Sequence, residues 1–440
     1  MTLAPPFGKL TRPMSHHRLA PWLLAPCLAL FAVLSVPWRS ASADQEAEAA
    51  PAAEPSAELA ADGVAGPSPD AAVAAEATPA QQLLGPMSYD GERDRYVAPL
   101  GASRAVLSVA PRLQQRLEKL LSGYRVPLGA VVLLEPRTGR VLALAEHAER
   151  GPKTHPALEP IAPAASIFKI VTSAALLEGG VAPDAEVCFH GGRHRIDKRL
   201  LDDNPRRDRR CLTLASALGH SANVVFAKLA GRDLTARLLR AEASRFLFDA
   251  PIPFDWKVEP SPAPIAEDPF DLATTAAGFG PVRLSPLHGA LIAAIVADGG
   301  RFVPPRLVDE VDGAPAPPRA GEAQVISPEV AADLALMMQT TVTEGTARKI
   351  FRRDRFARRS PLREVAVAGK TGSLADREPY RDYSWFVGFA PVEDPQVAVA
   401  AVVVNELRWR VKASFVAHEA LAAYFGEEGH PDRTASARGP

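Results

Sequence analysis

The stretch "YSWFVGFAPVEDPQVAVAAVVVNE", residues 383–406, holds two runs rich in aromatic and β-branched residues, separated by Glu393, Asp394 and Pro395. Apolar runs of this length bounded by turn residues read as strands, and so short a connection makes them antiparallel neighbours. A third run, "EVAVAGKTGS" (364–373), precedes them. Far upstream, "VPLGAVVLLEP" (126–136) and "RVLALAEH" (140–147) are joined by "RTG" and form another hairpin signal. Two strands near one end and three near the other, with a helical block between, predict one sheet whose ends meet. The fold class is therefore α+β, a mostly antiparallel five-stranded sheet flanked by helices. Helices are expected over "PRLQQRLEKLLSGY" (111–124), with Leu113, Leu117, Leu120 and Leu121 on one face, around Val330–Thr340, and over "KASFVAHEALAAYFG" (412–426).

The 440 residues suit one large domain or two ordinary ones. Composition is globular, with 47% hydrophobic and 23% charged residues, and a net charge of −1 argues against a nucleic-acid binder driven by global positive charge. Charge is unevenly spread. Residues 1–43 carry four basic side chains and no acid, and residues 44–80 carry eight acids and no base. The apolar stretch 19–37 follows Arg12 and Arg18 and is followed by "SASA", so residues 1–43 read as an export signal cleaved after Ala43, or as an N-terminal anchor if retained. Either reading places the body outside the cytoplasm, in the periplasm or another extracytoplasmic space, with membrane contact only through a retained anchor. Residues 44–100 read as a disordered Ala/Pro/Glu-rich linker, with order expected from about Leu100. A folded domain over 101–428 and a flexible tail over 429–440 complete the division. Signal cleavage would remove Cys27 and leave Cys188 and Cys211, an even pair in a disulfide-permitting compartment. A bridge closing that loop is worth about 3 kcal/mol on the chain-entropy account. A metal site combining these cysteines with His190 and His194 fits less well, because compact C-x-x-C spacing is missing.

The chemistry starts at "PAASIFKIVTSAALLEGG" (163–180), where Ser166 stands three positions before Lys169 at the start of an apolar run. Positions i and i+3 share a helix face, so hydroxyl and amine can meet there. Apolar neighbours would desolvate the amine and lower its proton affinity, and a neutral amine beside a serine can serve as its base. An ordinary amphipathic helix with a snorkelling lysine gives the same pattern, and S-x-x-K alone is common.

Two further stretches add to it. "HSANVV" (220–225) places Ser221 and Asn223 at a helix break. "AGKTGS" (368–373) places Lys370, Thr371, Gly372 and Ser373 on a strand, where Gly372 leaves the backbone open to close approach. In this order, the three stretches resemble the S-x-x-K, S-x-N and K-T-G set of the penicillin-binding protein transpeptidase domain, within the serine penicillin-recognising and β-lactamase-like superfamily. The likeness extends over about residues 105–428. "GAVVLLEPRTGRVLALAE" is similar to that family's first hairpin, "GFGPVRLSPLHGALIAAIVADGGRFVPPRLV" to a segment of its high-molecular-mass members, and "VTEGTARKI" to its approach to the third motif. That middle block, and the lack of an E-x-x-L-N stretch between Asn223 and Lys370, argue against a compact class A β-lactamase.

What the resemblance implies is a serine D,D-transpeptidase acting on D-alanyl-D-alanine stem peptides of peptidoglycan, and on β-lactams that imitate them. Ser166 would attack the carbonyl to give an acyl-enzyme, with Lys169 as base. Lys370 would keep Lys169 neutral and attract the substrate carboxylate, which Thr371 and Ser373 would hydrogen-bond. Ser221 would relay a proton to the leaving group, Asn223 would hold Lys169 and the substrate amide, and the N–H groups of Ser166 and Ser373 would form the oxyanion hole. No metal or organic cofactor is called for. The first motif here is Ser-Ile-Phe-Lys, where many members have Thr after the serine. Residues 44–100 are too short for a glycosyltransferase or pedestal domain, so a catalytic domain on a tether is expected, with other envelope proteins as candidate partners. A D,D-carboxypeptidase or β-lactam hydrolase, and a non-turnover penicillin-binding sensor, are the alternatives. The basic runs 198–210 and 348–363 either meet anionic envelope polymers or lipid headgroups, or form solvated loops paired with Asp202, Asp203, Asp208 and Asp354.

Overall fold

The computed structural model describes residues 84–150, 155–352 and 360–426. Its centre is the sheet expected from the two distant strand groups. Leu128–Leu134 (β1) and Val141–Ala148 (β2) form the first hairpin; Ala368–Arg377 (β3), Tyr380–Ala390 (β4) and Val397–Asn405 (β5) form the second group. The order is β3-β4-β5-β1-β2, antiparallel throughout. Ala390 faces Val397 across the Glu-Asp-Pro turn, and Val399 faces Leu133 where the chain's two ends meet.

Every residue of β5 is buried, because both faces of the sheet are covered. Side chains alternate across a strand, so Ala398, Ala400, Val402 and Val404 enter one core while Val397, Val399, Ala401 and Val403 enter another. The second core is closed by Pro111–Gly123 (α1) and the last helix, Ala413–Phe425. Gln114 of α1 is buried and bonds both the N–H and the C=O of Leu144, so it satisfies part of the free edge of β2. The first core holds Lys169–Glu178 (α2), Asn223–Asp233 (α3), Pro286–Ala297 (α4) and Pro328–Thr343 (α5). Helix α4 is buried from Pro286 to Val296, as a helix apolar on nearly every side must be, and its one polar side chain, His288, is hydrogen-bonded to the Phe246 carbonyl. Ser285 and Ser327 cap α4 and α5, each followed by proline at the first helical position.

Two sequence expectations change. The linker does not extend to residue 100. Ser88–Asp90 and Arg95–Leu100 are strands that join Ser103–Leu107, Val308–Val311 and Ala314–Pro315 in a second five-stranded sheet. Tyr96, Val97, Ala98 and Leu107 are buried there, and Trp256 Nε1 donates to the Leu84 carbonyl. Composition hid this, because the strands pair locally but reach distant chain through Ser103–Leu107, which meets Val308–Val311, and through Leu84 against Trp256, contacts that help offset the ordering cost. The aspartates of the first basic run do not neutralise its arginines either: Asp203 and Asp208 both bind Lys228 of α3. Asp354, the signal or anchor over 1–43, most of the linker and the tail over 429–440 lie outside the described residues. No helix among the described residues is long and apolar enough to cross a membrane. The strands Glu186–Phe189 and Arg210–Thr213 pair with Cys188 opposite Cys211, and the two are bonded as a disulfide.

Candidate active site

Ser166 sits in a 3-10 turn, Ala165–Ile167, that runs directly into α2, whose first residue is Lys169. The sequence suggested a continuous helix; the tighter turn eclipses positions i and i+3 and brings the two side chains together more directly. Lys169 Nζ lies 2.9 Å from Ser166 Oγ. Ala165 adopts φ +48°, a conformation that non-glycine residues seldom hold. The turn is fixed from both sides. Trp385 Nε1 of β4 donates to the Pro163 carbonyl at 2.9 Å, and Gly278 packs behind the Ala165–Ser166 peptide. Thr172, one turn after Lys169, donates to the Ala276 carbonyl at 2.9 Å.

The second stretch arrives where the helix Leu214–Gly219 ends and α3 begins at Asn223. Ser221 occupies that break with φ +53°, and its Oγ donates to Ser166 Oγ at 3.0 Å. Asn223 Nδ2 donates to the His194 carbonyl at 2.9 Å, so its Oδ1 must face Lys169 Nζ, also at 2.9 Å.

The third stretch lies on β3, the edge strand beside α5. Lys370 Nζ donates to Ser221 Oγ at 3.0 Å and to the Thr371 carbonyl at 2.8 Å. Gly372 is buried, and a Cβ there would stand 3.2 Å from Trp385 Cβ and 3.3 Å from Ile167 Cγ1. Its missing side chain therefore lets the serine turn pack against the strand. Ser373 is exposed, and Thr371 Oγ1 shares a hydrogen bond with Thr346 Oγ1.

All five polar side chains thus form one connected line: Lys370, Ser221, Ser166, Lys169, Asn223. Lys169 and Lys370 are fully buried, and no carboxylate pairs with either among the described residues. Burial, and then the Lys370 charge, push the Lys169 amine well below the ordinary lysine range. Burial alone brings Lys370 down to about 7. The asymmetry has a physical order: Lys169 loses its proton first, while Lys370 is still charged, and Lys370 afterwards has no cation facing it. Hydrogen-bond counting agrees. Two of the three Lys169 contacts are carbonyl oxygens, Asn223 Oδ1 and Ala277 O, which can only accept. A neutral amine has two N–H groups for them and a lone pair left for the Ser166 hydroxyl.

Residues 129–423 match the family described as the penicillin-binding protein transpeptidase domain. The chain belongs to that family. Peptidoglycan D,D-transpeptidase PbpA of Mycobacterium tuberculosis is 29% identical over 349 residues, covering 68% of this chain and 66% of that protein. The chain thus spans just under two thirds of the length of that relative. The structure of penicillin-binding protein A from M. tuberculosis as an imipenem acyl-enzyme complex superposes with a TM-score of 0.59 at 26% identity, covering 73% of this chain and 79% of that one. Pseudomonas aeruginosa PBP2 in complex with WCK 5153 gives a TM-score of 0.61 at 26% identity, covering 74% and 79%.

In this transpeptidase domain Ser166, Lys169, Ser221, Asn223 and Lys370 form one line, Thr371, Gly372 and Ser373 follow on the strand that carries Lys370, and Cys188 and Cys211 are paired with each other. Sequence reasoning missed the Ala277 carbonyl, Gly278 and Thr346. Backbone atoms carry no sequence signal of their own. Gly278 and Thr346 fall in stretches, "GFGPV" and "VTEGTARKI", whose likeness to the family was noted without a role for either residue.

Proposed function

We propose that this transpeptidase domain is a serine D,D-transpeptidase acting on D-alanyl-D-alanine stem peptides of peptidoglycan, and that β-lactams acylate the same serine. The observation that carries this reading is the unbroken line from one buried lysine through two hydroxyls to a second. Lys169, neutral, takes the Ser166 proton as Oγ attacks the penultimate D-alanine carbonyl. The N–H groups of Ser166 and Ser373 hold the resulting oxyanion; one such donor is worth about 3 kcal/mol of barrier. The leaving D-alanine amine takes a proton through Ser221. An amine from a second stem then attacks the acyl-enzyme. Lys370 attracts the substrate's terminal carboxylate through its charge, and Thr371 and Ser373 hydroxyls bind it. The disulfide and the apolar N-terminal segment support an extracytoplasmic setting.

Incubating the protein with a pentapeptide stem, with and without an acceptor amine, tests the assignment. Cross-linked product is expected. Free D-alanine alone would make the protein a carboxypeptidase, and neither product, with stable penicillin labelling, would make it a sensor. Ser166→Ala must abolish labelling in every case.

Two smaller effects are expected. The second-order rate of acylation should be bell-shaped in pH. It falls in acid as Lys169 becomes protonated, and falls on the alkaline side as Lys370 loses its charge near pH 7. A β-lactam ester without the carboxylate should lack the alkaline limb. Thr346→Val removes the partner that orients Thr371 Oγ1, and should slow acylation by a carboxylate-bearing β-lactam about tenfold, the worth of one net hydrogen bond. The ester analogue should again be unaffected.

A further inference from the structure

In the loop closed by the Cys188–Cys211 disulfide, the buried acid Asp208 and the exposed Asp203 are both engaged by Lys228. Asp208 Oδ1 meets His190 Nδ1, and its Oδ2 accepts from Lys228 Nζ at 2.9 Å and from the Asn204 N–H at 2.9 Å. Lys228 Nζ also reaches the Cys188 carbonyl at 3.1 Å and Asp203 at 2.8 Å. This network, with the disulfide, fixes the loop to α3. It leaves Arg207, Arg209 and Arg210 exposed and without an ion pair among the described residues.

These three arginines line a cavity of about 420 Å³ with Phe189 and the Gly191–Gly192 turn. Both glycines have positive φ. Gly191 packs against Leu200, whereas nothing lies within 4 Å of a Cβ on Gly192, so the backbone there is open to a ligand. Like charges gathered around a concavity favour an occupant carrying several negative charges. Guanidinium forks match phosphate oxygens in pairs. The frame behind them is already held in place, so little ordering is left for the ligand to supply. The same loop continues to Arg193 and His194, whose carbonyls accept from the Val224 N–H and from Asn223 Nδ2.

We propose that the cavity is a binding site for a diphosphate or a closely spaced pair of phosphate groups, beside the catalytic groove and independent of Ser166 chemistry. The site is read by binding alone, so it stands or falls separately from the transpeptidase assignment. Calorimetric titration of the intact protein with inorganic pyrophosphate at low ionic strength should show saturable binding with Kd below about 1 mM. Arg207→Gln with Arg210→Gln should weaken it at least about tenfold. The charge-matched pair Arg195→Gln with Arg199→Gln, on the same loop but outside the cavity, should change it less than about threefold. Penicillin labelling verifies that each variant is folded. Flotation with phosphatidylglycerol vesicles identifies the source: vesicle binding displaced by pyrophosphate points to a lipid headgroup, and pyrophosphate binding without flotation to a soluble or polymeric phosphate. No saturable binding, or equal weakening in both variant pairs, overturns the site.

Discussion

Lys169→Met should label with fluorescent penicillin about 10⁴-fold more slowly than the parent protein, a barrier increase of about 5 kcal/mol. Methionine fills nearly the same buried slot at the head of α2 and removes only the amine. Ser166 then keeps one polar side-chain contact, the Ser221 hydroxyl, which donates to it and has no free base behind it as long as Lys370 is charged, below about pH 7. Asn223 Oδ1 and the Ala277 carbonyl each lose a donor. Against that stands the removal of a costly buried amine, so thermal stability should change little. Lys169→Arg separates base from charge. A guanidinium stays protonated at any working pH, so it keeps a cation near Ser166 but offers no lone pair, and it should be as slow as the methionine variant. A Lys169→Arg protein that acylates within tenfold of the parent would show that positive charge, not basicity, is what Ser166 requires.

The central sheet was legible because its strands are long, apolar and separated by unambiguous turns. Tyr383–Glu406 alone specifies a hairpin, and the upstream pair supplies its neighbours. The second sheet was not legible. Its strands are short and half-polar, and although "RYVAPL" pairs with its sequence neighbours, the sheet is extended only where Ser103–Leu107 meets Val308–Val311 some 200 positions away. At the site, side-chain chemistry was legible and backbone chemistry was not. Ser166, Lys169, Ser221, Asn223 and Lys370 announce themselves by residue type and order. The acceptors and turns that hold them depend on where the chain returns in space. Gly372 illustrates the limit: its lack of a side chain was evident, but the group that uses the space is the Ser166 turn, with Ile167 Cγ1 3.3 Å from where a Cβ would stand.

Gly278 carries that limit furthest, and Gly278→Val should be the most damaging substitution at a position with no reactive side chain. The residue has φ +86°, and a Cβ there would stand 2.4 Å from the Ala165 carbonyl oxygen and 2.9 Å from the Ser166 nitrogen. Both are backbone atoms, so no side chain can swing aside. Reaching ordinary contact requires a shift of about 1 Å in the Ser166 turn or in the Ala277–Gly278 peptide that accepts from Lys169, and a displacement of that size costs about 10²-fold in rate. A β-branched residue at positive φ adds about 1–3 kcal/mol of strain to the folded state. Gly180→Val separates the two contributions, because Gly180 has the same φ, +86°, with nothing within 4 Å of its Cβ position. It should lose stability by a similar strain while acylating at the parent rate. Measured acylation at least about 10²-fold slower in Gly278→Val, and unchanged in Gly180→Val, would place the effect on the nucleophile's geometry. Equal acylation rates in the two variants, once unfolding is accounted for, would mean that the turn tolerates displacement and that Ser166 is not held by the contact behind it.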